Sequence, residues 1–137
     1  MKKSIFDSVF AVTGGLIGFL FGELDGLFYA LIAMVTLDFG TGFLGALVIK
    51  KNASSQVGFK GIVKKVYMFA IVALAHIIDI QVVGGGGVLR SAVISFFIAN
   101  EALSILENAG SLGLPIPKKL LRALEQLRNS NEKEEKT

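Results

Sequence analysis

Long apolar runs separated by short polar breaks occupy most of the first 108 residues. The first, residues 9–22, carries no charge and is bounded by Asp7 and Glu23. As a helix its 14 residues span about 21 Å, short of the ~30 Å hydrocarbon core of a bilayer, and a start at Ser4 lengthens it to about 28 Å. The second run, residues 27–49, holds one charge, Asp38. Its 12 Leu, Ile, Val and Phe residues each favour insertion by ~0.3–0.6 kcal/mol against ~2.5–3.5 kcal/mol for a central Asp, so insertion wins. The third run, residues 66–83, contains His76 and Asp79, and the fourth, residues 88–106, contains Arg90, Asn100 and Glu101. Each has the length of one spanning helix. The pattern predicts an all-α membrane protein, a bundle of about four transmembrane helices in which the first span is marginal in length.

After residue 108 the pattern changes. Pro115 and Pro117 interrupt any continuing helix. Leu120, Leu121, Leu124 and Leu127 then recur at helical spacing opposite Lys119, Arg122 and Glu125, which predicts a short amphipathic helix suited to an anionic membrane surface or a partner. The expected organisation is a transmembrane unit over 1–108, a Pro-broken linker and amphipathic helix over 109–128, and a disordered charged tail over 129–137.

Composition supports the membrane assignment. Hydrophobic residues make up 53% of the 137 and charged residues 18%, with a mean hydropathy of +0.65. Soluble domains average about 45–50% and ~25%. Cysteine is absent and His76 is the one histidine, which excludes disulfides and thiolate-ligated metals and leaves no zinc site or other cofactor to expect. Charge placement gives an independent test of topology. Lys2 and Lys3 precede the first run, Lys50, Lys51, Lys60, Lys64 and Lys65 fill the link between the second and third, and Lys118, Lys119, Arg122, Arg128, Lys133 and Lys136 follow the fourth. Only Arg90 falls on the opposite side, so the positive-inside rule predicts that both termini are cytoplasmic. Met1-Lys2-Lys3 before an apolar run resembles a signal peptide, yet no A-x-A-like site follows Gly22, and a retained first span is expected.

Several constellations offer candidate chemistry, each with a plainer structural alternative. Gly14, Gly18, Gly22 and Gly26 recur every fourth residue, a spacing that presents a small-residue face for close helix contact or simply reflects glycine enrichment in membrane helices. Asp38 cannot face lipid cheaply and points into a bundle or a water path, or serves as a hydrogen-bonded structural acid. Asp79 and Arg90 flank the 84–87 glycine turn and are expected to form an ion pair that pins the hairpin, while His76 reads as a packed side chain. On the fourth span Asn100, Glu101, Ser104, Glu107 and Asn108 fall within an arc of roughly 120°, the best candidate for a pore-lining or bundle-facing polar surface. The alternative is that its lower half emerges into the cytoplasm. Lys50, Lys51, Lys60, Lys64 and Lys65 read as an orientation signal in contact with anionic lipid rather than nucleic acid, since Phe59 is the one aromatic among them. Residues 40–45 spell G-x-G-x-x-G but lie inside an apolar run without a preceding strand, so nucleotide binding is not expected. No nucleophile–base pair or carboxylate cleft is visible, and the chain does not read as an enzyme.

Leu37-Asp38 with Thr41-Gly42, Gly58-Phe59-Lys60-Gly61 with Lys64-Lys65, His76-Ile77-Ile78-Asp79, Leu89-Arg90, and Ile98-Ala99-Asn100-Glu101 with Ser104-Ile105-Leu106-Glu107-Asn108 form an ordered series closed by residues 112–117. This series resembles the phage lysis and toxin-secretion holin family over residues 27–127. The resemblance implies a small protein of the bacterial inner membrane that assembles with copies of itself into lesions, collapsing the membrane potential and giving an endolysin access to the wall. It implies self-association, lipid and a functional endolysin as partners, with no nucleic acid and no small-molecule substrate. Two other functions fit the span count: holin-like export of a toxin or other protein without lysis, and a small proton-coupled multidrug transporter.

Overall fold

A computed structural model describes the backbone of residues 2–50 and 55–135 and the side chains of residues 2–49 and 58–130. It contains α1 (Lys2–Phe21), α2 (Gly26–Gly45), α3 (Ser55–Ile78), α4 (Val88–Ser111) and α5 (Lys118–Glu135), with no strand among the described residues. Each of α2 and α3 runs on into a π-helical turn, Ala46–Lys50 and Asp79–Val83. With these turns, 4 helices, α1 to α4, are long and apolar enough to cross a membrane. The chain is an all-helical, multi-pass membrane protein. Its helices alternate in direction, which gives the bundle one end rich in lysine and another capped by the 84–87 glycine loop.

Helix boundaries depart from the apolar runs where backbone chemistry overrides hydropathy. α3 begins at Ser55, well ahead of residue 66, because no proline interrupts the lysine-bearing stretch and lysine propagates a helix well. α4 passes residue 106 and stops at Ser111, where Gly113 turns with φ +80° ahead of Pro115 and Pro117. α5 runs to Glu135, beyond the residue 128 boundary and into the stretch expected to be disordered, since no Gly or Pro breaks a sequence of Glu and Lys.

Packing centres on α4, which lies against α2, α3 and α5, whereas α1 runs beside α3 and touches α2 and α4 only through Phe21. The core is small: Phe28 and Leu31 of α2, Met68 and Val72 of α3, and Ile94 of α4, with Phe21, Phe69 and Phe97 packed around them. Phe21, Phe28 and Phe69 form an aromatic cluster with ring centroids 5.2 to 6.1 Å apart. Large apolar side chains such as Phe10, Val12, Leu74 and Val82 face outward, as lipid-facing positions of a spanning bundle do.

α1 is held by its last turn only, and residues 2–19 are exposed along their length. Its end is built on Gly22, which takes φ +75° and donates its N–H to the Gly18 carbonyl at 2.8 Å. The His76 ring fills the place of a side chain there, with Cε1 2.6 Å from where a Cβ would sit. The glycine row is therefore not one continuous helix face. Gly14 and Gly18 lie on α1 with open space beside them, Gly22 has left the helix, and Gly26 opens α2.

Gly22→Ala should lower stability by about 1–3 kcal/mol, because alanine is strained at positive φ and collides with the imidazole. Thermal unfolding in detergent checks this. Adding His76→Ala should recover the part due to collision and leave the backbone strain.

Candidate functional site

Polar side chains from three helices meet on the lysine-rich side of the core. Lys65 of α3 places Nζ 2.7 Å from Asp38 Oδ2 of α2 and 2.6 Å from Glu101 Oε2 of α4. Asn108 of α4 donates Nδ2–H to Asp38 Oδ1 at 3.3 Å and to Thr41 Oγ1 at 3.0 Å, while Thr41 returns its hydroxyl to the Leu37 carbonyl at 2.8 Å. Side chains of Asp38, Lys65 and Glu101 are 14%, 16% and 5% exposed, so these are paired charges inside the bundle rather than surface contacts. Carrying unpaired ions at this depth costs several kcal/mol each, and mutual pairing removes most of that cost.

The sequence placed Lys65 with the lipid-contacting lysines, and the structure corrects this. Lys65 lies on one face of α3 with the buried Met68 and Val72, a face continued by Asp79 in the π-helical turn that follows, and so is carried inward. Lys60 and Lys64 do face outward. The Lys50 side chain and Lys51 lie outside the described residues. Of the predicted polar stripe, Glu101 is buried, Asn100, Ser104 and Asn108 are half-buried, and Glu107 is exposed. The face therefore looks into the bundle over most of its length.

α2 and α3 meet only briefly and diverge toward their lysine-rich ends. Between them opens a cleft of about 1040 Å³, with Asp38, Lys65, Glu101 and Asn108 at its floor and Phe39, Phe43 and Tyr67 on its walls.

At the opposite end a second polar layer ties the loops together. Arg90 donates Nε–H to the Phe21 carbonyl at 2.7 Å, Nη2–H to the Glu23 carbonyl at 2.8 Å, and Nη1–H to Asp25 Oδ2 at 3.0 Å. Its guanidinium carbon sits 5.9 Å from the Phe28 ring centroid. Asp79 and Arg90 were expected to pair as ions, and they do not. Asp79 is fully buried and accepts the backbone N–H groups of Leu89 at 3.1 Å and Arg90 at 2.8 Å. It caps α4 because Gly87, the residue before that helix, has no side chain to do so. The Arg90 guanidinium is thereby free to reach α1, whose terminal carbonyls favour a cation.

Asp25 caps α2 by accepting the Phe28 N–H at 3.0 Å. Its hydrogen bond with Arg90, followed by that with Phe28, holds its carboxyl below the usual carboxylate range. At 1.5 Å per residue, the two polar layers are separated by about 16–21 Å along the helices, considerably less than the ~30 Å hydrocarbon core.

A spanning helical bundle with an internal ion-pair network defines a multi-pass membrane protein with charges held off lipid. A sequence model described as "Bacteriophage holin family" matches residues 15–129, and the chain belongs to that family. The match begins inside α1, twelve residues ahead of residue 27, where the sequence resemblance starts. The chain is 40% identical over 127 residues to an uncharacterized protein of Halalkalibacterium halodurans, covering 90% of this chain and 93% of that one. An uncharacterized Listeria monocytogenes protein is 41% identical over 78% of this chain and 75% of its own length. A Clostridium perfringens relative, described as an uncharacterized 14.9 kDa protein in the nagH 3' region, is 36% identical over 85% of this chain and 87% of its own. No solved structure matches the chain.

Lys65→Gln should cost about 2–3 kcal/mol, since it leaves Asp38 and Glu101 facing each other without a cation. Lys64→Gln, on the exposed side, should change stability by less than about 0.5 kcal/mol. Thermal melts of the purified chain in one detergent compare the two directly. For Asp25 the lowered carboxyl adds stability that is present above about pH 4 and lost as pH falls through its folded-state value. Asp25→Asn should therefore lower the melting temperature at neutral pH and flatten its decline in acid, read from melts between pH 7 and 3.

Proposed function

We propose that this protein is a holin. It oligomerises in the bacterial inner membrane and forms non-selective lesions that depolarise the cell and let an endolysin reach the wall, with no catalytic role of its own. The observation that carries this reading is the polar face of α4, held against Asp38 and Lys65 inside a bundle that turns large apolar side chains outward. A face with fixed charges and amides is one that water can wet once neighbouring copies replace the internal partners. Family membership supports the same reading.

Lysine placement orients the chain with both termini and the α2–α3 link in the cytoplasm. Lys60 and Lys64 then lie toward anionic headgroups. Self-association uses α1, where Gly14 and Gly18 leave room for a second backbone. Export of a protein without lysis differs from this reading in cargo only.

Induced expression of the full chain should collapse the membrane potential and release a co-expressed wall hydrolase to its substrate. An intact potential with tolerance to toxic compounds would point instead to a sealed exporter. Gly18→Ile should reduce crosslinked oligomers and delay depolarisation, and unchanged oligomers with unchanged timing would remove α1 from assembly.

A further inference from the structure

We propose that the cleft between α2 and α3 binds lipophilic organic cations. Its volume of about 1040 Å³ falls at the upper end of small-ligand pockets. Its lining is aromatic, with Phe39 and Phe43 from α2, Tyr67 from α3 and Phe97 from α4. Two carboxylates, Asp38 and Glu101, face one ammonium, Lys65, so the floor holds a residual negative charge when both acids are ionised, while the second lysine of the lining, Lys64, is exposed to solvent. Aromatic faces attract cations, and a cleft with low-dielectric walls focuses the field of the charge at its base.

Other occupants match this surface less well. A lipid tail would cover the aromatic walls but offer no counter-charge to the second carboxylate of the floor. An anionic headgroup meets the wrong sign, with Lys64 at the edge exposed and screened by solvent. A bare inorganic ion has no use for the aromatic walls. A cation with an apolar body uses both surfaces, and it has a route in, because the cleft opens between two spanning helices. The cleft itself has no signature in the sequence, since it arises only from how α2, α3 and α4 pack.

The test measures equilibrium binding of tetraphenylphosphonium to the full chain in phosphatidylcholine nanodiscs. Tetraphenylborate, of the same shape and opposite charge, is the comparison, and empty discs correct for partitioning. The cation should bind saturably and at least about tenfold more tightly than the anion. Glu101→Gln should weaken it about tenfold. Lys65→Gln, which removes the competing ammonium, should tighten it, opposite to the effect of a merely structural loss. Phe39→Leu, at an exposed wall position, should weaken it severalfold and serves as the second variant where Lys65→Gln does not fold. Equal binding of the two ions, preference for the anion, or unchanged binding in Glu101→Gln would each overturn the proposal. Because the readout is binding in sealed discs, its failure leaves the lesion-forming reading standing, and failure of that reading leaves the site.

Discussion

An ammonium shared by two carboxylates is the constraint around which the bundle is arranged. In lipid, apolar side chains gain nothing by leaving one hydrocarbon surface for another, so hydrophobicity alone does not hold helices together. Here the core is a handful of side chains, and the Lys65 bridge joins α2, α3 and α4 at a single point. Each partner comes from a different helix, and removing Lys65 leaves both carboxylates without a counter-ion in a medium that does not solvate them. The arrangement specifies which helices are neighbours and in what register, which aliphatic packing would leave loosely determined.

The second layer does comparable work with backbone groups. Arg90 collects the end of α1 and the start of α2, while Asp79 closes the start of α4. Between the layers lies the apolar slab of Phe28, Leu31, Met68, Val72 and Ile94. Where water enters the cleft below, the insulating part of the protein shrinks to this slab, and the membrane potential drops over a shorter distance. A charge crossing it experiences ~2.3 kcal/mol per 100 mV.

Much of the architecture was legible because lipid imposes a simple rule: spans are long and apolar, and lysines collect at one side. The polar positions on α4 were legible too, since their angular clustering needs only the helical repeat. The role of Lys65 was not, although its spacing with Met68, Val72 and Asp79 was the available signal. A lysine beside other lysines at the edge of an apolar run reads as an interfacial residue, and only the early start of α3 at Ser55 brings it within the bundle. Asp79 and Arg90 were correctly placed as neighbours, but apart from the Asp25 carboxylate their partners are groups with no side-chain signature, the free N–H groups of α4 and the carbonyls of Phe21 and Glu23. The glycine row misled for a related reason. A repeat of four implies one face only while the helix continues, and Phe21 ends it.

The single-ended attachment of α1 has a geometric consequence. A rod about 30 Å long, fixed by its final turn, sweeps a wide sector of the membrane plane for a small rotation at its pivot. The far tip moves by many ångströms while the contacts of Phe21 and Gly22 barely alter. Such a lever lets α1 change its tilt while the packing of α2, α3 and α4 stays as it is.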